Sequence, residues 1–202
     1  MTPEIRLLVA DAAPLITLAA ARSLSYLLYA GIPVVIPDAV FHEATASSGK
    51  LGAEEIIDWY RANAGNVRIE PTNAFQDAMI LASRAGRRLP RDLGERAALE
   101  IVRDTRLIDA PGDRALLLSD DRDVERLVAI DKDRLILLTT GDFLRQLEAA
   151  RRIQSADHVL SLVRAAGRTP SERGLWDRHD PQVKDAVRSL LEQAGNNRPV
   201  ER

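Results

Sequence analysis

The sequence predicts an α/β domain in which a parallel sheet is covered by helices on both faces. Two observations carry this. Short unbroken aliphatic runs (IRLLVA, VVI, LLLS, LILL) have the composition of strands buried on both sides, since a strand with one wet face alternates apolar and polar residues. Between them lie longer stretches with apolar residues three and four apart, the period of a helix, and strands that alternate with helices are joined by crossovers and run parallel.

The elements follow in order. Ile5–Ala10 predicts a strand ending at Asp11. Pro14 suits the first helical position, where a missing N–H costs nothing, and Leu15, Ile16, Leu18, Leu24, Leu27 and Leu28 continue that helix. Ile32–Ile36, bounded by Gly31 and Pro37, predicts a second strand, and a helix starting at Pro37 carries Val40 and Glu43. Ala53–Ala64 predicts a helix, Val67–Glu70 a brief strand closed by Pro71, and Asn73–Ala85 a helix. The stretch from Arg84 to Gly94, RAGRRLPRDLG, predicts a loop. A helix over Glu95–Arg103, a strand over Ala115–Ser119, a helix over Val124–Ile130, a strand over Leu135–Leu138 and a helix over Phe143–Arg152 complete the alternation.

Residues 1–166 thus predict one domain, and 167–202 an appendage. Gly167–Pro181, with Pro170, Gly174 and Trp176, is polar and predicts a linker. Beyond it Val183, Ala186, Val187, Leu190 and Leu191 form one apolar stripe on an amphipathic helix. The stripe is too wide to leave in water and can dock on the domain's own sheet-covering helices or on a second copy across a two-fold axis; of the two, we expect it near a subunit interface, extending a homodimer contact.

Composition narrows the chemistry. No cysteine is present, which removes disulfides, thiolate metal sites and cysteine nucleophiles and fits a reducing compartment. His42, His158 and His179 lie far apart, without metal-ligand spacing. Thirty acidic against 28 basic residues leave a net charge of −2, which argues against bulk adhesion to polyanions but not against a local basic track. No apolar run reaches the roughly 18 residues needed to span a bilayer, and Arg6 interrupts the N-terminal apolar stretch, so a cytoplasmic location is expected.

In an open α/β sheet, ligands bind beyond the carboxyl ends of the strands, at the switch in strand order. Asp11 ends the first strand, and Asp120 and Asp121 end the strand LLLS. Glu43 lies on the helix after the second strand, and Glu95 opens a helix directly after Gly94. A single acid at a helix start is ordinary, favoured by the helix dipole. Acids from several segments converging on one rim repel one another unless a cation neutralises them, and Mg²⁺ or Mn²⁺ prefers such oxygen ligands.

The stretches VADAAPLITLA, VVIPDAVFHEA, LGERAALEIV and LLLSDDRDVERLVA, in this order and approximate spacing, resemble the PIN-domain family over about residues 5–150. The IP-x-x-V-x-x-E and G-E-x-x-A pieces resemble in particular the subgroup typified by D-x-S-P-L-I. The resemblance implies a PIN-like three-layer α/β/α nuclease domain and a divalent-metal-dependent ribonuclease, a class that includes toxins of the VapBC type. It implies an RNA substrate, a possible antitoxin protein partner and a homodimer. The family's acids map onto Asp11, Glu43, Glu95 and Asp121 as catalytic residues, with Asp11, Glu95, Asp120 and Asp121 as metal ligands and Asp123 behind them. One departure stands out: where the family has Ser, Thr or Asn two residues after its first acid, this chain has Ala13. A hydroxyl there could cap the helix and touch the site, so Ala13 is expected to weaken the site without destroying it, and it is the best hint of the alternative, a catalytically degenerate PIN domain that binds or scaffolds. A phosphoacceptor module of the receiver kind fits less well, because its paired acids come early in the chain and these come late.

Arg84, Arg87, Arg88 and Arg91 cluster ahead of Glu95 and could grip RNA phosphates, although a solvated loop would look the same. His42, beside Glu43, reads as a surface or packing residue, because neighbours on a helix point about 100° apart. Asp142 follows another strand end and could reach the site through water.

Overall fold

The computed structural model describes residues 4–196 apart from 48, 87, 105, 109–111, 123, 125–130, 132 and 172–173, and the Trp176 and Asn196 side chains are also outside the description. Among the described residues the strands β1 (Ile5–Ala10), β2 (Val34–Pro37), β3 (Val67–Glu70), β4 (Arg114–Leu118) and β5 (Leu135–Leu138) form one sheet in the order β3-β2-β1-β4-β5. All neighbouring strands are parallel. The chain therefore builds outward from β1 to β3, then returns to pair β4 with the other edge of β1. That return is the switch in strand order, and Asp11 sits on it.

Around the sheet lie α1 (Ala12–Ala20), α2 (Asp38–Thr45), α3 (Ala53–Ala62), α4 (Asn73–Ala85), α5 (Leu93–Arg103), α6 (Thr140–Ala149), α7 (Ala156–Ala165) and α8 (Pro181–Asn196). The period-two alternation of a strand divides the aliphatic runs between two cores. Leu8, Ala10, Val34, Ile36, Leu116, Leu118, Ile136 and Leu138 face one core, which α1, α3, α6, α7 and α8 complete. Leu7, Val9, Val35, Ala115, Leu117, Leu135 and Leu137 face the other, closed by Leu99, Ile101 and Val102 of α5. This is the expected three-layer α/β/α arrangement.

Several local expectations need correction. The first helix starts at Ala12 rather than Pro14, with Asp11 as its N-cap: the Asp11 side chain accepts the Ala12 N–H at 2.7 Å. Pro14 is still in the first turn, where N–H groups have no helical acceptor. The helix does not run on to Leu28. Arg22 adopts a positive φ of 51° and stops it, and Leu24–Ala30 forms a 3₁₀ helix. α7 was not marked in the sequence, although Ser155 caps it through the His158 N–H and Val159, Leu160 and Val163 bury one face. The expected helix Val124–Ile130 lies outside the described residues beyond Val124, which is buried in the second core.

The appendage is packed rather than loose. Within the expected linker Leu175 is buried in the second core, and the His179 ring Nε2 lies 2.8 Å from the Leu137 carbonyl of edge strand β5. The apolar stripe also differs from expectation. Val183, Val187 and Leu191 are buried in the chain's own first core, so their docking partner is the sheet-covering layer and not a second subunit. The approach is close: a Cβ on Gly31, which ends the 3₁₀ helix with φ +71°, would stand 2.6 Å from the Ala194 Cβ. Among the described residues no helix is long and apolar enough to cross a membrane.

Candidate functional site

At the carboxyl end of β1 the backbone of Asp11 is pinned from both directions. Its N–H donates to the Leu118 carbonyl of β4 at 3.0 Å, and its side chain caps α1. The side chain is only 9% exposed. Its second oxygen accepts the Ser119 hydroxyl at 2.7 Å, and the same hydroxyl oxygen accepts the Asp121 N–H at 3.2 Å. Ser119 therefore ties the acid at the end of β1 to the backbone of the acid beyond β4.

α5 brings the third group. Gly94 sits where a Cβ would lie 3.5 Å from Asp11 Oδ1, 3.7 Å from Glu43 Oε2 and 3.4 Å from Val40 Cγ2. A glycine here lets the first turn of α5 come close to two carboxylates contributed by β1 and α2. Glu95, the next residue, is half-buried, and its Oε2 is buried without a hydrogen-bond partner. Such an orphan costs free energy unless something compensates it.

The electrostatics agree with this convergence. Burial pushes the Asp11 carboxyl up to about 6, the Ser119 and Ala12 hydrogen bonds oppose the shift, and the charges of Glu43 and Asp121 add to it. Burial likewise raises Glu95 to about 6, with further contributions from Asp11, Asp121 and Glu43. Four acids from β1, α2, α5 and the end of β4 thus feel one another's charge.

Among the described residues, no three acidic or imidazole side chains already stand together as a metal cage. The donor set nevertheless fits a hard divalent cation: every group is a carboxylate, one oxygen is buried and unpartnered, and Gly94 leaves room between two of them.

The remaining expected residues divide. Asp120, expected beside Asp121 as a ligand, accepts the Thr140 N–H and the Thr140 hydroxyl, each at 2.9 Å, and so fastens the end of β4 to the start of α6. Asp142 forms a capping box with Thr139 at that same helix start and is occupied there. His42 packs against the Phe75 ring at 5.3 Å, as a packing residue would. Arg84, Arg88 and Arg91 are exposed, and Arg91 lines a cavity with Glu43, Lys50 and Gly94, while Arg87 and Asp123 lie outside the described residues.

Two features went unmarked in the sequence. Ser119 stood only as a strand end, though a hydroxyl residue directly before paired acids at the switch point is a recognisable signal. Lys50 places a cation beside the acids, its Nζ donating to the Glu43 carbonyl. Ser119 also alters the reading of Ala13. Asp11 supplies the helix cap and Ser119 supplies a hydroxyl to the site, so neither function is missing for want of a side chain at residue 13.

No curated protein and no solved structure matches the chain. A family model described as a PIN domain matches residues 7–167, which takes in the sheet except the first two residues of β1, and every acid discussed above. The chain belongs to the PIN-domain family.

Proposed function

We propose that the chain is a divalent-metal-dependent ribonuclease in which Asp11, Glu43, Glu95 and Asp121 hold Mg²⁺ or Mn²⁺. The observation that carries this reading is the convergence of these four acids, with Glu95 Oε2 buried and unpaired and two carboxyls raised to about 6. Carboxylates held in this state gain most from a cation, because it relieves both their mutual repulsion and their desolvation. A divalent ion bound there would polarise a phosphodiester and lower the pKa of an attacking water. Asp11 is the fixed point of the set, held by Ala12 and Ser119, and Ser119 is its positioning residue. Asp120 stays outside the set as the fastening to α6. Arg91 and Lys50, next to Glu43, and Arg84 and Arg88 before them, would guide an RNA backbone towards the acids. A small antitoxin covering this rim is part of the same proposal, carried by the resemblance to VapBC-type toxins.

Calorimetric titration with Mn²⁺ and with Mg²⁺, alongside cleavage of a mixed single-stranded RNA, tests the reading. Gly94→Ala is the most telling variant. A methyl at ordinary contact distance from Asp11, Glu43 and Val40 leaves the fold intact, and alanine in a helix is favoured over glycine by about 1 kcal/mol. We expect unchanged or higher melting temperature, and Mn²⁺ affinity and cleavage each reduced roughly tenfold or more. Wild-type metal binding and cleavage in Gly94→Ala would place the ion elsewhere.

A further inference from the structure

At the end of the sheet opposite the acids lies a cavity that nothing in the nuclease reading uses. α6 starts beside the acid rim, where Thr140 donates to Asp120, and runs back along the sheet for about 15 Å. Just past its far end the chain meets the 3₁₀ helix Leu24–Ala30, which precedes β2. Arg152 Nε donates to the Tyr29 carbonyl at 3.4 Å, and its guanidinium carbon stands 5.5 Å from the centre of the Tyr29 ring. Tyr26 and Tyr29 meet edge to face with ring centres 5.2 Å apart, and both residues are half-buried. With Glu148, Arg151 and Gln154 they line a cavity of about 520 Å³, within the range of small-molecule sites.

This cavity holds two opposite charges that do not pair. Glu148 is half-buried and Arg151, three residues on, is exposed, and neither side chain has a hydrogen bond or ion pair among the described residues. Arg151 has a left-handed backbone, φ 56°, at the end of α6, where its N–H donates to the Glu148 carbonyl at 2.8 Å. Glycine is the usual residue in that position, because it carries no Cβ. Arg151 instead keeps a cation at the edge of the cavity, at a cost in backbone strain that glycine would avoid.

The lining selects among ligands. A bare phosphate would be repelled by Glu148, and a purely apolar ring would leave both charges unanswered. A nucleotide answers both, since its base stacks on tyrosine and guanidinium planes and its phosphate pairs with arginine. Guanine presents two adjacent N–H donors on its pairing edge, N1–H and N2–H, which match the two acceptor oxygens of a carboxylate. Adenine has an acceptor, N1, in the same place. We infer that this cavity binds a guanine nucleotide, with the base against Tyr26, Tyr29 and Arg152, its pairing edge on Glu148 and its phosphate on Arg151.

The inference stands apart from the nuclease proposal, because its test uses the full chain in EDTA, where the acids at the other end hold no ion. Calorimetric titration with GMP, AMP and guanosine is the measurement, with circular dichroism to confirm that each variant folds. GMP should bind roughly tenfold or more tightly than AMP. Glu148→Gln should lower GMP affinity by a similar factor and leave AMP affinity unchanged or higher, which erases the preference. Arg151→Gly relieves the left-handed backbone, so it should melt no lower than wild type and yet bind GMP no better than guanosine. Tyr26→Ala should weaken GMP and AMP alike by roughly tenfold, as loss of a stacked base predicts, whereas Tyr26→Phe should keep wild-type affinity. Competition reads the source of the ligand. Displacement of GMP by a short single-stranded RNA with one guanine assigns the site to guanine within RNA, and retention of GMP assigns it to the free nucleotide. No GMP binding at millimolar concentration, equal affinity for GMP and AMP, an unaltered preference in Glu148→Gln, or wild-type GMP affinity in Arg151→Gly would each overturn the inference.

Discussion

Asp11→Asn is expected to abolish RNA cleavage and at the same time raise the melting temperature of the metal-free protein at neutral pH. Asparagine has the same shape and can still accept the Ala12 N–H and meet the Ser119 hydroxyl, so the cap and the link to β4 persist. What disappears is a buried charge. Burial raises the Asp11 carboxyl from 3.8 to about 6, and at roughly 1.4 kcal/mol per unit this penalty is about 3 kcal/mol at pH 7.

The sign fixes the pH window. A carboxyl whose folded pKa exceeds its unfolded value binds its proton more tightly in the folded chain. It costs nothing below about pH 4, costs progressively more as pH rises towards about 6, and costs its full amount above that. Glu95, raised in the same direction, deepens the trend, though its partial exposure weakens its share. Metal-free wild type should therefore lose stability between pH 4 and 6, and Asp11→Asn should flatten the curve. Saturating Mn²⁺ should restore wild-type stability at pH 7 by mass action and do little for the variant. Cleavage should fall by about three orders of magnitude, as expected when a carboxylate that holds the ion is lost. Thermal melts across pH, with and without Mn²⁺, and single-turnover cleavage check both halves. Near-wild-type cleavage by Asp11→Asn would remove Asp11 from the reaction.

The second large effect concerns the C-terminal helix. Truncation after Arg168 removes Leu175, which closes the second core, and Val183, Val187 and Leu191, which close the first. Each buried aliphatic side chain is worth roughly 1.5–3 kcal/mol, so the four together rival the total stability of about 5–15 kcal/mol typical of a domain. The shortened chain should lose its cooperative melt and near-ultraviolet circular dichroism. A truncated protein with a wild-type melting transition would show that the appendage only decorates the domain.

Leu135–Leu138 was legible because burial on both faces makes it an unbroken aliphatic run, and the edge strand Val67–Glu70, with Arg68 exposed, because Pro71 closes it; both match to the residue. α4 matches too, because Thr72 caps it and Gly86 ends it, both visible as letters. The end of α1 was hidden because the turn at Arg22 uses no glycine or proline. Its left-handed backbone lets the Arg22 and Ser23 N–H groups donate back to the Ala19 and Leu18 carbonyls and close the helix end. The destination of the α8 stripe was hidden for another reason. An apolar face announces that it will be buried but not against what. Asp11 and Glu95, the two acids whose carboxyls are raised, could be marked from a strand end and a glycine. That Asp120 rather than Asp121 is tied to α6 was not legible, because the tie runs to Thr140, twenty positions on.

The strand order also has a consequence in time. Asp11 depends on Leu118 and Ser119 for its backbone and side-chain bonds, partners 107 and 108 positions later in the chain. β1, β2 and β3 can associate as soon as they exist, whereas the edge of β1 that bears the acids stays open until β4 is made and threaded alongside. Closing a loop of that length is slow compared with forming a helix, and a growing chain exposes its N-terminal half first. A ribosome carrying the first hundred residues therefore displays half a sheet with no assembled acid cluster. Under the nuclease reading, the RNA-rich surroundings of synthesis meet an inert chain, and the capacity to cut arrives only with the completed fold.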